Sequence, residues 1–176
     1  SELPEGATDK MRQAYVLEHT GVMDPRLAAM ARDMDENRNG ELSWAELRTF
    51  QRWLRRTYEY QHNPLALRPD EFLDAGGGDC EDWVMVTSWV LRWWGIPSYK
   101  ATVESASGFH AITLIPTPFA PAAFRSFDIN ATWSDMADLP WIPVDYDHVG
   151  SLSTAVEGRF TLRRPTRPEQ WYGQPI

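Results

Sequence analysis

The chain has a single cysteine, Cys80, among its 176 residues, and this scarcity excludes an internal disulfide. The thiol is therefore free. Histidines are also few, and the four of them, His19, His62, His110 and His148, do not have the spacing of zinc ligands. A structural zinc site is not expected.

Basic residues and long apolar runs are scarce as well. The chain has 17 Lys and Arg against 25 Asp and Glu, which gives a net charge of −8 and argues against a nucleic-acid partner. No apolar run reaches the ~18 residues that a membrane-spanning helix needs, so membrane insertion is not expected. The sequence does not indicate an oligomeric state.

The one cysteine lies in residues 76–83, which read Gly-Gly-Gly-Asp-Cys-Glu-Asp-Trp. A glycine-rich loop here leads into a helix with an apolar stripe. Unpaired N–H groups and the helix dipole stabilise a thiolate at such a position, and glycines let a substrate approach the backbone. Cys80 is the candidate nucleophile. Its backbone N–H is the expected half of an oxyanion hole, for which no side-chain donor is assigned.

Two strand-like runs downstream carry the polar residues that a catalytic thiol needs. His110 lies in Gly-Phe-His-Ala-Ile-Thr-Leu and Asp128 in Ser-Phe-Asp-Ile-Asn. Attack on an amide requires a thiolate, a base that later protonates the leaving amine, and an acid that orients the imidazole. Cys80, His110 and Asp128 supply these groups in the order of a cysteine-nucleophile triad.

Helical periodicity occupies the first part of the chain, and β-branched runs follow it. Helices are predicted over about 9–20, 25–34, 44–62 and 80–94, with a loop at 69–73, and strands at 99–104, 110–115, 125–130 and 159–163. This order indicates an α+β fold with a central helix packed on an antiparallel sheet. We expect a helical lobe over residues 1–64 and a core bearing Cys80 over residues 65–176.

A twelve-residue calcium loop of the EF-hand type fits residues 35–46 between the second and third helices. Glycine stands at the sixth place, an apolar residue at the eighth and glutamate at the twelfth, as that loop requires. The expected Ca²⁺ ligands are Asp35, Asn37, Asn39, the backbone carbonyl of Glu41, Ser43 through water, and both carboxylate oxygens of Glu46. A polar turn between two helices is the alternative. Two carboxylates with two asparagines suggest moderate affinity.

Residues 69–130 resemble the transglutaminase-like, papain-related cysteine proteins, above all the bacterial transglutaminase-like cysteine proteinases. The matching motifs are Pro69, Glu-Phe-Leu at 71–73, Gly-Asp-Cys-Glu-Asp-Trp at 78–83, Gly-Ile-Pro at 95–97, His-Ala at 110–111 and Asp128. The resemblance implies a papain/transglutaminase-like core with Cys80 as nucleophile, His110 as base and Asp128 as orienting acid. The N-terminal calcium loop is an addition to that family pattern.

Asp79, Glu81 and Asp82 surround Cys80 with negative charge, which disfavours a thiolate unless a cation offsets it. Carboxylates at a helix start are ordinary dipole partners, so capping is one explanation. The resemblance offers another, because in the adhesin-clipping proteases of the family the acids flanking the cysteine bind calcium. On this chain that implies a possible second Ca²⁺ site at Asp79 and Glu81.

The main functional hypothesis is a calcium-binding thiol hydrolase, a cysteine peptidase or amidase that acts on protein or peptide substrates through an acyl-enzyme. Acyl transfer to an amine, as in transglutaminases, uses the same thioester and stays open. A calcium-dependent binding module without catalysis is the alternative from another class. A calcium loop of modest affinity favours the periplasm or the exterior, where calcium is abundant. The first residues are polar and lack the features of a signal peptide, so we expect an exported protein whose signal has been removed.

Overall fold

A computed structural model describes residues 3–116, 141–153, 155–156, 160–163 and 165–174. Its helices are Asp9–Thr20 (α1), Pro25–Asp33 (α2), Trp44–Thr57 (α3), Pro69–Ala75 (α4) and Cys80–Trp93 (α5), with a short 3-10 helix at Pro168–Trp171. Its strands are Glu59–Tyr60 (β1), Gly77–Gly78 (β2), Tyr99–Ser105 (β3), Gly108–Pro116 (β4), Trp141–Asp145 (β5), His148–Val149 (β6) and Phe160–Leu162 (β7).

The first three helices begin at side-chain caps that the sequence encodes. Thr8 accepts a hydrogen bond from the backbone N–H of Met11, and Asp24 accepts one from that of Arg26 just after Pro25. At the start of α3, Ser43 and Glu46 exchange reciprocal backbone bonds. These caps explain why the predicted helix starts agree with the structure.

The central element is α5, which is buried on nearly all sides. Val86, Trp89, Val90 and Trp93 are fully buried. The helices α1 and α2 pack against α5, and so does strand β4 of the sheet. One cluster of buried side chains therefore joins the N-terminal helices to the sheet. The domain boundary at residues 64–65 stays a prediction.

Within the described residues, β6, β5, β4, β3 and β7 form one antiparallel sheet in that order. The pairing of β3 with β4 places Val103 opposite His110, and the pairing of β4 with β5 places Thr113 opposite Val144. The predicted α+β fold, with a central helix on an antiparallel sheet, is confirmed. Among the described helices, none is both long and apolar enough to cross a membrane.

Three larger elements differ from the sequence predictions, and the two-residue strands β1, β2 and β6 were not predicted either. The helix α3 ends at Thr57 rather than near 62, because the chain extends so that β1 can pair in parallel with β2. Residues 69–73 form the helix α4, which has Pro69 at its first position and ends at Gly76 in the left-handed region. Strand β5 was not predicted, because Pro143 within a run lowers its strand propensity. The predicted strand at 125–130 lies outside the described residues.

Candidate active site

The loop before Cys80 passes so close to neighbouring atoms that only glycine fits at residues 77 and 78. A Cβ atom on Gly77 would lie 1.9 Å from the carbonyl oxygen of Glu59 in β1, and one on Gly78 would lie 2.5 Å from a carboxylate oxygen of Asp82. Both distances are far inside van der Waals contact. The glycines therefore serve to bring β1, the loop and α5 together at the first residue of that helix, Cys80.

Asp82 anchors this loop from beneath. Its side chain is fully buried and accepts hydrogen bonds from the backbone N–H groups of Leu67 (2.7 Å) and Asp79 (2.9 Å), and from the side-chain amide of Asn63 (3.3 Å). Burial raises the pKa of Asp82 to about 7, and the backbone donors oppose that rise. Asp82 is thus part of the scaffold that presents Cys80.

Cys80 and His110 meet where α5 packs against β4. The sulfur of Cys80 accepts a hydrogen bond from the backbone N–H of Ala111 at 3.4 Å, and the side chain is half-buried. His110 is 6% exposed, and its Nε2 lies 2.6 Å from Oδ1 of Asp145. The second ring nitrogen, Nδ1, is left for the thiol. The structure therefore brings together two of the three predicted triad residues.

The environment of His110 favours its protonated form. Burial lowers the pKa of His110, but hydrogen bonds with Asp145 and Cys80, together with their charges, outweigh burial and raise the pKa to about 9. The imidazole of His110 is thus suited to be protonated at neutral pH beside the sulfur of Cys80. A positive charge next to the sulfur is a feature that activates a thiol nucleophile.

The carboxylate that contacts His110 is that of Asp145, which the sequence analysis missed. Asp145 is 1% exposed, and its second oxygen accepts a hydrogen bond from the backbone N–H of Ser153 at 2.7 Å. The predicted acid, Asp128, lies outside the described residues. A signal for Asp145 existed, because it ends the apolar run Trp-Ile-Pro-Val at 141–144, but Pro143 within the run concealed the strand.

Asp79 and Glu81 flank the thiol with partly unsatisfied carboxylates. Oδ1 of Asp79 and Oε2 of Glu81 are both buried, and neither has a hydrogen-bond partner among the described residues. Burial and the charge of Asp79 raise the pKa of Glu81, whereas the charges of Lys100 and His62 lower it. Buried unpaired carboxylate oxygens are the feature that a bound cation would explain.

Lys100 places a basic side chain near Asp79 and Glu81. It is 2% exposed, and its Nζ lies 3.4 Å from the ring centroid of Trp171. Burial lowers the pKa of Lys100, and the charges of Glu81, Cys80 and Asp79 oppose that effect. Lys100 therefore offsets part of the negative charge beside Cys80.

The loop at 35–46 is closed by its own side chains. Oδ2 of Asp35 accepts the backbone N–H of Gly40 at 2.9 Å, and Oδ1 of Asn39 accepts that of Glu41 at 3.0 Å. Gly40 has φ +80°, a value that favours glycine, and Leu42 points into the core at 3% exposure. These are the local features that the calcium-loop pattern requires of its first, fifth, sixth and eighth places.

Glu46, at the twelfth place of this loop, is 6% exposed. Its Oε1 accepts the backbone N–H of Ser43 at 2.8 Å, whereas its buried Oε2 has no partner among the described residues. No three carboxylate, imidazole or thiol side chains of the described part of the chain lie close enough together to hold a metal. A cation at this loop would therefore rely on Asp35, Glu46 and the amide, hydroxyl and carbonyl oxygens between them.

Comparisons with known proteins show the family to which the chain belongs. The family model described as the transglutaminase-like superfamily matches residues 28–146. The structure is similar to LapG of Legionella pneumophila treated with EGTA, with 14% identity, a TM-score of 0.48, and coverage of 94% of this chain and 81% of that chain. A second structure of L. pneumophila LapG has 14% identity, a TM-score of 0.46, and coverage of 85% and 77%. No curated protein matches the sequence.

Proposed function

Because the chain belongs to the transglutaminase-like superfamily, we propose that it is a cysteine peptidase or amidase that cleaves protein amide bonds through an acyl-enzyme. The observation that carries the proposal is the chain of contacts from Asp145 through His110 to Cys80. A buried carboxylate, an imidazole of raised pKa and a thiol at a helix N-terminus are the parts of a nucleophilic site.

The reaction follows from the positions of these groups. The thiolate of Cys80 attacks the amide carbonyl carbon and forms a C–S bond, and the imidazolium of His110 gives its proton to the leaving amine as the C–N bond breaks. Water then attacks the thioester, His110 takes a proton from it, and the C–S bond breaks to restore the thiolate. Asp145 orients the imidazole throughout. The backbone N–H of Cys80, at the first helical position, is the proposed oxyanion donor.

The test is mass-spectrometric profiling of peptides cleaved by the wild type and by Cys80→Ala. We expect new peptide termini with the wild type and none with the variant, because the variant lacks the nucleophile. A primary amine in the mixture separates hydrolysis from acyl transfer, since a transferase attaches the amine to its substrate. Equal cleavage by both proteins would end the enzyme proposal, and no cleavage by either, with slow alkylation of Cys80, would favour a binding module.

We further propose that the loop at 35–46 binds Ca²⁺ through Asp35, Asn37, Asn39, the carbonyl of Glu41, Ser43 through water, and Glu46. Support comes from the loop's closed geometry and from the unpaired buried Oε2 of Glu46. Bound calcium would join α2 to α3 and stabilise the folded state by mass action. Asp79 and Glu81 are proposed as a second site on the strength of their own unpaired oxygens.

Glu46→Gln should reduce the gain in melting temperature that calcium produces. If the Kd is on the order of 0.1 mM, 10 mM calcium stabilises the wild type by about 2.7 kcal/mol. For a chain of this length, that is a rise of roughly 5–10 °C. Calorimetry with calcium and with EGTA measures the difference. An unchanged wild-type melting temperature in calcium would reduce the loop to a polar turn.

Glu46→Gln and Glu81→Ala together separate the two proposed metal sites. Calcium near the thiol should speed alkylation of Cys80 by iodoacetamide, and Glu81→Ala should make that rate insensitive to calcium. If the calcium response disappears in Glu46→Gln but persists in Glu81→Ala, coupling runs through the helical loop. The assignment of Asp79 and Glu81 as ligands would then be wrong.

A periplasmic or secreted location is proposed with these sites. A loop with two carboxylate ligands suits the millimolar calcium outside the cytosol. A free thiol that is half-buried beside an imidazole is also consistent with a working nucleophile rather than a stray cysteine.

A further inference from the structure

Gln51 in α3 uses both ends of its side chain in the interior. It is 2% exposed; its Nε2 donates to the backbone carbonyl of Tyr146 at 2.7 Å, and its Oε1 accepts from the hydroxyl of Thr87 at 3.3 Å. Thr87 belongs to α5, the helix that Cys80 begins. Gln51 therefore connects α3, α5 and the end of β5.

Tyr146 has a backbone conformation that must be held in place. Its φ is +51°, in the left-handed region, where a residue with a Cβ atom is strained by roughly 1–2 kcal/mol. It directly follows Asp145, the residue whose carboxylate contacts His110, so the turn at Tyr146 begins next to that carboxylate. Backbone strain of this kind is typical of functional sites.

The side chain of Tyr146 is also part of the surroundings of His110. The two ring centroids are 5.3 Å apart, and the ring of Trp83 meets that of Tyr146 edge-on at 5.8 Å. Arg55, one helical turn after Gln51, lies with its guanidinium 4.2 Å from the Tyr146 ring centroid. The helix α3 thus holds Tyr146 at its carbonyl and at its ring.

Gln51 also lies close to the nucleophile. A cavity of about 10 Å³ is lined by Gln51, Cys80, Thr87, Ala111 and Tyr146, among other residues. The side chain of Gln51 and the thiol therefore line the same small cavity. Gln51 is buried, and its two hydrogen bonds reach residues that are 36 and 95 positions away in the sequence. A glutamine needed only for solubility would be exposed instead.

We propose that Gln51 is a positioning residue for the Asp145–His110 pair and acts through the carbonyl of Tyr146. The expected effect on kcat rests on the proposed function, whereas the contacts of Gln51 do not depend on it. Gln51 holds the turn at Tyr146, the turn aims Asp145, and Asp145 keeps the imidazole of His110 facing Cys80. Loss of the amide donor would loosen this arrangement by a fraction of an ångström, which is enough to slow a proton-transfer step.

Gln51→Met tests the proposal, because methionine has a similar length and lacks the amide. We expect kcat to fall roughly 10- to 100-fold with little change in KM. We also expect the pKa of His110, followed by NMR on histidine-labelled protein, to drop from about 9 towards its ordinary 6.5. The groups that face His110 are Asp145, Cys80 and the Tyr146 ring with Arg55 above it, and Gln51→Met alters none of them chemically.

Two controls separate positioning from general damage. Trp94→Phe removes another side-chain bond to a backbone carbonyl, the part-buried bond to Ala31 at 3.0 Å, at the opposite end of α5 from Cys80, and should leave the titration of His110 unchanged. Thr87→Val removes the hydroxyl at the other end of Gln51 but keeps the donor to Tyr146, and should change kcat less than threefold. Equal effects of Thr87→Val and Gln51→Met would assign the loss to helix packing and overturn the proposal.

Gln51→Asn, which is one methylene too short to reach Tyr146, is the second variant if Gln51→Met does not fold. Failure of both to fold, with Trp94→Phe folded, would make Gln51 a folding residue and overturn the proposal. An unchanged His110 titration in a folded variant would do the same. The titration needs no substrate, so it gives its answer even if the wild type cleaves nothing and the proposed function fails.

Discussion

Asp145→Ala should lower kcat on the order of 10⁴-fold while the protein stays folded. The carboxylate of Asp145 is the group within 2.6 Å of His110, and without it the imidazole loses both its orienting acceptor and the charge that raises its pKa. The measurement is kcat on a peptide that the wild type cleaves, with circular dichroism to verify the fold. Asp145→Asn should retain more activity, because its amide oxygen can still accept the bond.

Asp128→Ala is the matched control, since Asp128 is the acid that the family resemblance implies. If Asp145 orients His110, Asp128→Ala should retain kcat within about threefold, because the orienting carboxylate is still present. The opposite result, with Asp128→Ala inactive and Asp145→Ala active, would restore Asp128 to the triad and leave Asp145 a structural partner.

His110→Ala should lower kcat at least about 10³-fold, because the variant has no group to protonate the leaving amine. It should also slow the alkylation of Cys80 at neutral pH, since the imidazolium that pairs with the thiolate is gone. Both readouts use one protein preparation: peptide turnover and the rate of iodoacetamide labelling. Cys80 alkylation as fast as in the wild type would show that other groups, such as Lys100, stabilise the thiolate.

The same substitution predicts a change in stability with pH. The pKa of His110 is about 9 in the folded protein and 6.5 in its ordinary state, so folding favours the protonated ring. Its contribution is complete below pH 6.5 and is lost as the pH rises from 6.5 through about 9, with a limit of about 3 kcal/mol. Urea unfolding from pH 6 to 10 should show this decline in the wild type and not in His110→Ala. Parallel curves for the two proteins would contradict the raised pKa.

The residues that local rules control were predictable from the sequence. Thr8, Asp24 and Ser43 each cap a helix that begins at the next residue. The glycines before Cys80 mark a tight loop at a helix start. For the same reason the α+β class and the placement of Cys80 on the central helix follow from pattern alone. His110 was predicted as the base because it lies in a strand-like apolar run and in family order with Cys80.

Errors arose where a distant partner decides the local conformation. The end of α3 at Thr57 depends on β1 meeting β2, and the strand at Trp141–Asp145 forms despite Pro143 because β4 and β6 lie on either side of it. Propensity weighs only neighbours in the chain, and here the pairing of distant strands outweighs it. The helix at Pro69–Ala75 is different, since its proline start and glycine end were visible in the sequence and were not combined.

The α+β class followed from the order of helical and strand-like patterns, and Cys80, His110 and the calcium loop were predicted from motifs that each span about a dozen residues. The packing of distant elements determines which carboxylate faces His110 and which side chain bonds to the turn that follows that carboxylate. Those contacts join His110 to Asp145 across 35 residues and Gln51 to Tyr146 across 95. No local periodicity encodes such pairs, because they arise when α3, α5 and the sheet pack around one core.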